Sequence, residues 1–237
     1  VISGSGGLTK QGTGIFTLSG NNTYTGATTI NAGTLTLVAS NRIADVSAVT
    51  VVGGATFNLN NFVETIGSLA GAGNVTLGTA ALTTGDATNT TYSGIMSGTG
   101  GLTKQGTGTF TLFGNNTYSG VTNVSAGTLV AAVNNALGTA AGGTTVAAGA
   151  TLGFSGGINY ATAEPVTLNG GTLASLAGNN TFAGPTTLTA NSAITVANGT
   201  TMTVGGTVNG GSQLNVTSGT GGINFLSAIG GTTPLSS

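Results

Sequence analysis

Gly6-Gly7-Leu8-Thr9-Lys10-Gln11-Gly12-Thr13-Gly14 returns unchanged as Gly100-Gly101-Leu102-Thr103-Lys104-Gln105-Gly106-Thr107-Gly108. The match runs on in both directions. Phe16-Thr17-Leu18 returns as Phe110-Thr111-Leu112, and Gly20-Asn21-Asn22-Thr23-Tyr24 as Gly114-Asn115-Asn116-Thr117-Tyr118. Ala32-Gly33-Thr34-Leu35 returns as Ala126-Gly127-Thr128-Leu129. A weaker third copy reads Gly178-Asn179-Asn180-Thr181-Phe182-Ala183-Gly184. A long internal repeat is the signature of a solenoid, in which each coil buries its apolar face only against its neighbours.

Within the repeat, apolar residues alternate with threonine. Phe16 and Leu18 flank Thr17, Leu35 and Leu37 flank Thr36, Val49 and Val51 flank Thr50, and Ile194 and Val196 flank Thr195. Alternation at period two, bounded by Gly and Asn, predicts short strands separated by tight turns. Strands recur after about 19–20 residues, as from Phe16 to Leu35. That predicts roughly 11–12 coils and a rod roughly 50–60 Å long. Pro185 takes the repeat position held by Ala27 and Val121, so its backbone nitrogen should not be needed in a ladder.

Composition removes several alternatives. Of 237 residues, 45 are glycine and seven are charged: Lys10, Arg42, Asp45, Glu64, Asp86, Lys104 and Glu164. Glycine at this density destroys any long helix, so a membrane-spanning helix is not expected. With 38% hydrophobic residues and a net charge of −1, the chain reads as folded rather than disordered. It has no cysteine, hence no disulfide or thiolate metal site, and no histidine, hence no Ser-His-Asp triad. No basic patch supports nucleic-acid binding. The first copy starts at residue 1 without lead-in, and no signal-peptide pattern precedes it. We read residues 1–237 as one solenoid segment cut from a longer chain, with repeats at about 1–37 and 95–131 and a degenerate copy at about 175–196.

The stretch from Gly6 to Leu35, and its counterpart from Gly100 to Leu129, closely resembles the autotransporter passenger-associated repeat. Gly53–Leu59 and Glu64–Gly73 resemble passenger sequence as well. Ile223-Asn224-Phe225 and Ala228–Leu235 are similar to segments of filamentous-haemagglutinin-like adhesins. The resemblance implies an all-β fold, a right-handed parallel β-helix, on a secreted protein at the surface of a Gram-negative bacterium. It implies an outer-membrane translocator outside this segment, and it transfers no catalytic residue.

The remaining candidates are few. Glycoside hydrolysis needs two carboxyls about 5–10 Å apart. At about 20 residues per coil, Asp45, Glu64 and Asp86 stack on neighbouring coils in the enzymatic reading; as solvated turn charges they do no chemistry, which is the expectation here. Lys10 and Lys104 are expected to be solvated lysines beside a glycine turn. Tyr24, Tyr118 and Phe182 are expected to be packed corner aromatics rather than a sugar-stacking stripe. The paired asparagines are expected to be turn residues tolerating left-handed geometry. Thr34-Leu35-Thr36 and Thr201-Met202-Thr203 resemble the rows of an ice-binding solenoid, without regular placement on every coil. No catalytic, cofactor-binding or metal site is expected, and no cofactor. The expected role is a non-enzymatic structural or adhesive stalk, with end-to-end self-association into filaments and a receptor on a host or neighbouring cell as candidate partners. A carbohydrate-active enzyme and an ice-binding solenoid are the alternatives.

Overall fold

The computed structural model describes residues 1–231 and 233–236. Thr232, in the adhesin-like C-terminal stretch, lies outside the described residues. Among these residues the regular structure is strand alone, in 28 short pieces, and every pairing between strands is parallel. The chain winds as a parallel β-solenoid, as expected from the repeat and the alternation, and its strands lie on three faces.

Face one is an 11-stranded sheet running from Leu8–Lys10 to Leu214–Ser218. Face two holds a five-stranded sheet, from Ile15–Leu18 to Met96–Gly98, and a four-stranded sheet, from Asn159–Tyr160 to Gly222–Phe225. Single bonds, such as Thr117 N–H to the Met96 carbonyl and Thr139 N–H to the Tyr118 carbonyl, bridge the gap between them. Face three is an eight-stranded sheet from Glu64–Ile66 to Val208–Gly210.

Eleven stacked strands make about ten coils rather than 11–12. The coils are longer than the repeat suggested. Leu129 sits over Phe110 after 19 residues, but Leu152 sits over Leu129 only after 23, because an extra turn is inserted around Asn134–Gly138. At ~4.8 Å per rung the rod is about 48 Å long.

Inward residues stack like on like. On face two, Phe16, Leu35, Phe57, Val75 and Met96 are direct partners on successive coils. On face one, Phe110, Leu129, Leu152, Leu173 and Ile194 form a second file. All but the lowest, Phe16, are essentially inaccessible. Each buried Leu or Phe contributes about 1.5–3 kcal/mol, and only because another coil covers it.

The two strong repeats do not sit in phase. Leu8–Lys10 lies on face one, whereas its copy Leu102–Lys104 lies on face three. Ile15–Leu18 lies on face two and its copy Thr109–Leu112 on face one. The repeat therefore comes back rotated by one face. What it encodes is a corner with its two flanking strands, and that unit occurs at two different edges of the triangular coil.

Pro185 falls at the corner expected for it. It directly precedes Thr186–Ala190, and only its carbonyl joins the ladder, accepting from Val166 N–H at 2.9 Å. Glycine fills the tight corners for a steric reason. A Cβ on Gly100 would run into the carbonyl of Ala80 on the coil below, whereas a Cβ on Gly14 would meet nothing. Gly100→Ala should therefore destabilise the rod by about 1–3 kcal/mol. Gly14→Ala should stay within about 0.5 kcal/mol of the parent. Thermal melts of the two variants check this pair of outcomes.

Candidate functional site

Alternation sends every second side chain inward. Lys10 has the parity of Leu8, and Lys104 that of Leu102. Neither is solvated: Lys104 is 1% exposed and Lys10 7%. This overturns the surface reading of both lysines. The Lys10 ammonium donates to the carbonyls of Gln11, Gly12 and Ala32 at 2.8, 2.6 and 3.0 Å. The Lys104 ammonium donates to those of Gln105, Gly106 and Ala126 at 2.8, 2.9 and 3.1 Å. Two acceptors belong to the lysine's own corner and the third to the next coil. Three donors meet three backbone acceptors that a tight corner leaves unpaired. Burial pushes the Lys104 ammonium below the usual lysine range, and the nearby charge of Asp86 opposes the shift.

The second asparagine of each pair is also internal. Asn22 accepts from Ile2 N–H at 2.8 Å and donates to the Arg42 carbonyl at 2.9 Å. Asn116 accepts from Met96 N–H at 2.7 Å and donates to the Ala136 carbonyl at 2.6 Å. Each amide thus ties its own coil to the one below and the one above. The left-handed turn expected of these pairs does not occur; positive φ falls instead on Asn41, Asn60, Asn61 and Asn135. In the third copy Asn180 accepts from Ile158 N–H at 2.9 Å, but its donors turn back to Phe154, Ser175, Ala177 and Gly178. The upward link is missing there.

The aromatics complete the corner, packed inside as expected. Tyr24 and Tyr118 hydrogen bond through their hydroxyls to Thr28 and Thr122, at 2.6 and 2.7 Å. Phe182 occupies the same position in the third copy, packed on Phe154 with ring centroids 5.2 Å apart. It has no hydroxyl, and the buried Oγ1 of Thr186, the counterpart of Thr28 and Thr122, has no partner. All three rings are buried, so none is available to stack on a sugar.

The two buried acids, Glu64 and Glu164, do not converge, although Asp45 is near enough to Glu64 for its charge to act on it. Glu64 is not a solvated turn charge, as it was expected to be. It is 1% exposed, and its two oxygens accept from Arg42 and Ile43 N–H at 2.9 and 2.8 Å. Asp86 turns back to the backbone and hydroxyl of Thr88. Asp45 lies at an exposed corner. Glu164 is fully buried, with one oxygen accepting from the Thr144 hydroxyl at 2.8 Å and the other unpartnered. Five rungs of face three separate the strand of Glu64 from the one that follows Glu164. That is about 24 Å, far beyond the reach of a paired-carboxylate mechanism. Among the described residues no three acids group together. The threonine rows are partial: Thr34 and Thr36 lie under Thr56 and Asn58, while Thr201 and Thr203 lie under Gly222 and Asn224.

The clamped corners coincide with the comparisons. Residues 8–37, 102–131 and 175–190 match the model of the passenger-associated-transport-repeat. A stretch of 136 residues is 38% identical to the adhesin BmaC autotransporter of Brucella suis biovar 1 (strain 1330), covering 54% of this chain and 4% of that protein. The chain thus spans a small fraction of the length of that relative. No solved structure matches the chain. Three stretches of the chain are thus similar to the passenger-associated-transport-repeat, and the matched stretches include Asn22, Asn116, Lys10 and Lys104, which tie coils together.

Two outcomes follow from the buried polar groups. Phe182→Tyr should give the orphaned Thr186 hydroxyl a partner and raise unfolding stability by about 1 kcal/mol, measured by denaturant titration. Burial pushes the carboxyls of Glu64 and Glu164 up to about 7. Backbone N–H groups oppose the shift at Glu64 while Asp45 adds to it, and the Thr144 hydroxyl opposes it at Glu164. The folded state then holds protons that the unfolded chain releases near pH 4–5. Stability should fall as pH rises from about 4.5 to 7 and level off above that. Melting temperatures between pH 4.5 and 8.5 check the slope, and Glu164→Gln should flatten it.

Proposed function

We propose that the chain is a stretch of the stalk of an exported cell-surface adhesin, non-catalytic and built to hold binding segments away from the membrane. The observation that carries this reading is the repeat corner itself. Among the side chains that recur, the buried asparagine and lysine of both strong copies are spent on joining coils. A rod joined this way is stiff along its axis and presents continuous main-chain pairing to proteases. The passenger repeat and the similarity to an adhesin support a surface location. Export by a translocator outside this segment agrees with both.

The outermost rungs of face one, Leu8–Lys10 and Leu214–Ser218, each keep one edge unpaired within this stretch. Such edges template further strands. Further coils of a longer chain continue the stalk there, or other copies extend it into a filament.

Display of the chain on a non-adherent bacterium, between a translocator and an epitope tag, tests the reading. The stalk role predicts rods in negative-stain images and a gain of adhesion to cells or matrix. Globular particles and unchanged adhesion would remove it, and hydrolysis or cleavage of a polysaccharide panel would replace it with the enzymatic alternative.

A further inference from the structure

Inward and outward residues alternate along the corner that follows Gly20 and Gly114. Asn22 and Tyr24, like Asn116 and Tyr118, are buried, and their recurrence follows from the ties they make. The outward residues recur as well. Asn21 and Thr23 return as Asn115 and Thr117, and all four are exposed. Among the described residues neither Asn21 nor Asn115 has a side-chain hydrogen bond, so the fold does not account for their return. The outward pair spells Asn-x-Thr, the acceptor triplet for an N-linked sugar. In an extended chain the threonine two places on lies on the same side as the asparagine, so its hydroxyl stands beside the amide that is to react.

We propose that Asn21 and Asn115 are sites of N-linked glycosylation. Asn-x-Ser/Thr triplets also begin at Asn74, Asn89, Asn123, Asn179, Asn198 and Asn215, and geometry sets these apart. Oδ1 of Asn74, Asn89, Asn179 and Asn198 accepts from the backbone N–H of Ile95, Thr109, Thr201 and Thr220 on the next coil, at 3.4, 2.8, 3.1 and 3.1 Å. A sugar on such an amide crowds the coil that the amide holds. Asn123 and Asn215 lie inside strands, where the neighbouring rung is only ~4.8 Å away. Asn21 and Asn115 lie outside the strands. Their stretches are held from below through Thr23 N–H to the Ile2 carbonyl and Thr117 N–H to the Met96 carbonyl, which leaves the asparagine amides to solvent.

The co-reactant is a nucleotide-activated sugar, and a glycosyltransferase of the producing cell joins the two. Nδ2 of the asparagine attacks the anomeric carbon of the sugar. The nitrogen–carbon bond forms and the bond from that carbon to the diphosphate oxygen breaks. The nucleoside diphosphate leaves with the bonding pair, and the amide nitrogen releases one proton to solvent. The product suits this rod. Of the seven charged residues only Arg42, Asp45 and Asp86 are not buried, so charge does little for solubility, and sugar hydroxyls supply hydration instead. The stretch of Asn21 lies between a strand of face two and a strand of face one, and that of Asn115 between a strand of face one and a strand of face three. The two sugars therefore stand on different sides of the rod. Neither site depends on the chain being an adhesive stalk.

Peptide mapping by mass spectrometry, on the protein recovered from the bacterium that makes it, tests the proposal. The expected result is a saccharide mass on the peptides that hold Asn21 and Asn115, with Asn22, Asn116 and the other triplets bare. Asn21→Gln and Asn115→Gln should each remove one saccharide. Neither should move the melting temperature of the chain made in a host without the transferase, which separates loss of the acceptor from loss of the fold. Thr23→Ala should strip the sugar from Asn21, whereas Thr23→Ser should keep it. Bare asparagines at both positions would overturn the proposal. So would a saccharide that survives both glutamine substitutions, as a sugar on a threonine hydroxyl does, or sugar spread evenly over all the Asn-x-Ser/Thr triplets.

Discussion

Each coil buries its Leu and Phe side chains only because another coil lies directly above and below, so the register between coils is the condition on which everything else rests. Backbone pairing supplies most of that register, but parallel ladders of three to five residues slip easily when the corners are free. The repeat fixes the corners. Lysine satisfies three carbonyls that a glycine turn would otherwise orphan, asparagine bridges three coils, and tyrosine holds the threonine that opens the next strand. The result is a rod whose polar interior groups are concentrated at its edges and whose faces are filled by aliphatic files.

Placing charge inside such a column is expensive, since a buried ion needs full hydrogen bonding to persist. Lys10 and Lys104 meet that condition with three acceptors each. Glu64 meets it with two backbone donors. Glu164 does not: one of its oxygens has no partner, and burial raises its carboxyl to about 7, as it does that of Glu64. The third repeat shows the same relaxation: Asn180 no longer reaches upward, and Phe182 leaves a hydroxyl unpaired. Degeneracy in the sequence is thus visible as missing ties between coils rather than as a change of fold.

Much of this was legible in the sequence. The alternation around Thr17, Thr36 and Thr195, the return of the repeat and the resemblance it carries led to a parallel solenoid with short strands. Pro185 fell at the corner predicted for it, and the aromatic of each repeat was packed as expected. The burial of Lys10, Lys104 and Glu64 was misread because charge was allowed to outweigh parity. Lys10 follows Leu8 by two, Lys104 follows Leu102 by two, and Glu64 precedes Ile66 by two, so the same alternation that located the strands points all three inward. Asn22 stands two before Tyr24 and obeys the same rule. The one-face rotation between repeats was not legible. It depends on the length of each intervening coil, and those lengths are set by turns such as the one at Asn134–Gly138 that carry no alternation to count.

The most direct test is a map of side-chain proximities by nuclear magnetic resonance along the file of Phe16, Leu35, Phe57, Val75 and Met96. The solenoid predicts contacts between each residue and the next in that series, with none skipping a rung. Contacts that pair these residues in antiparallel order, or that join the first directly to the last, would contradict the stacked-coil account.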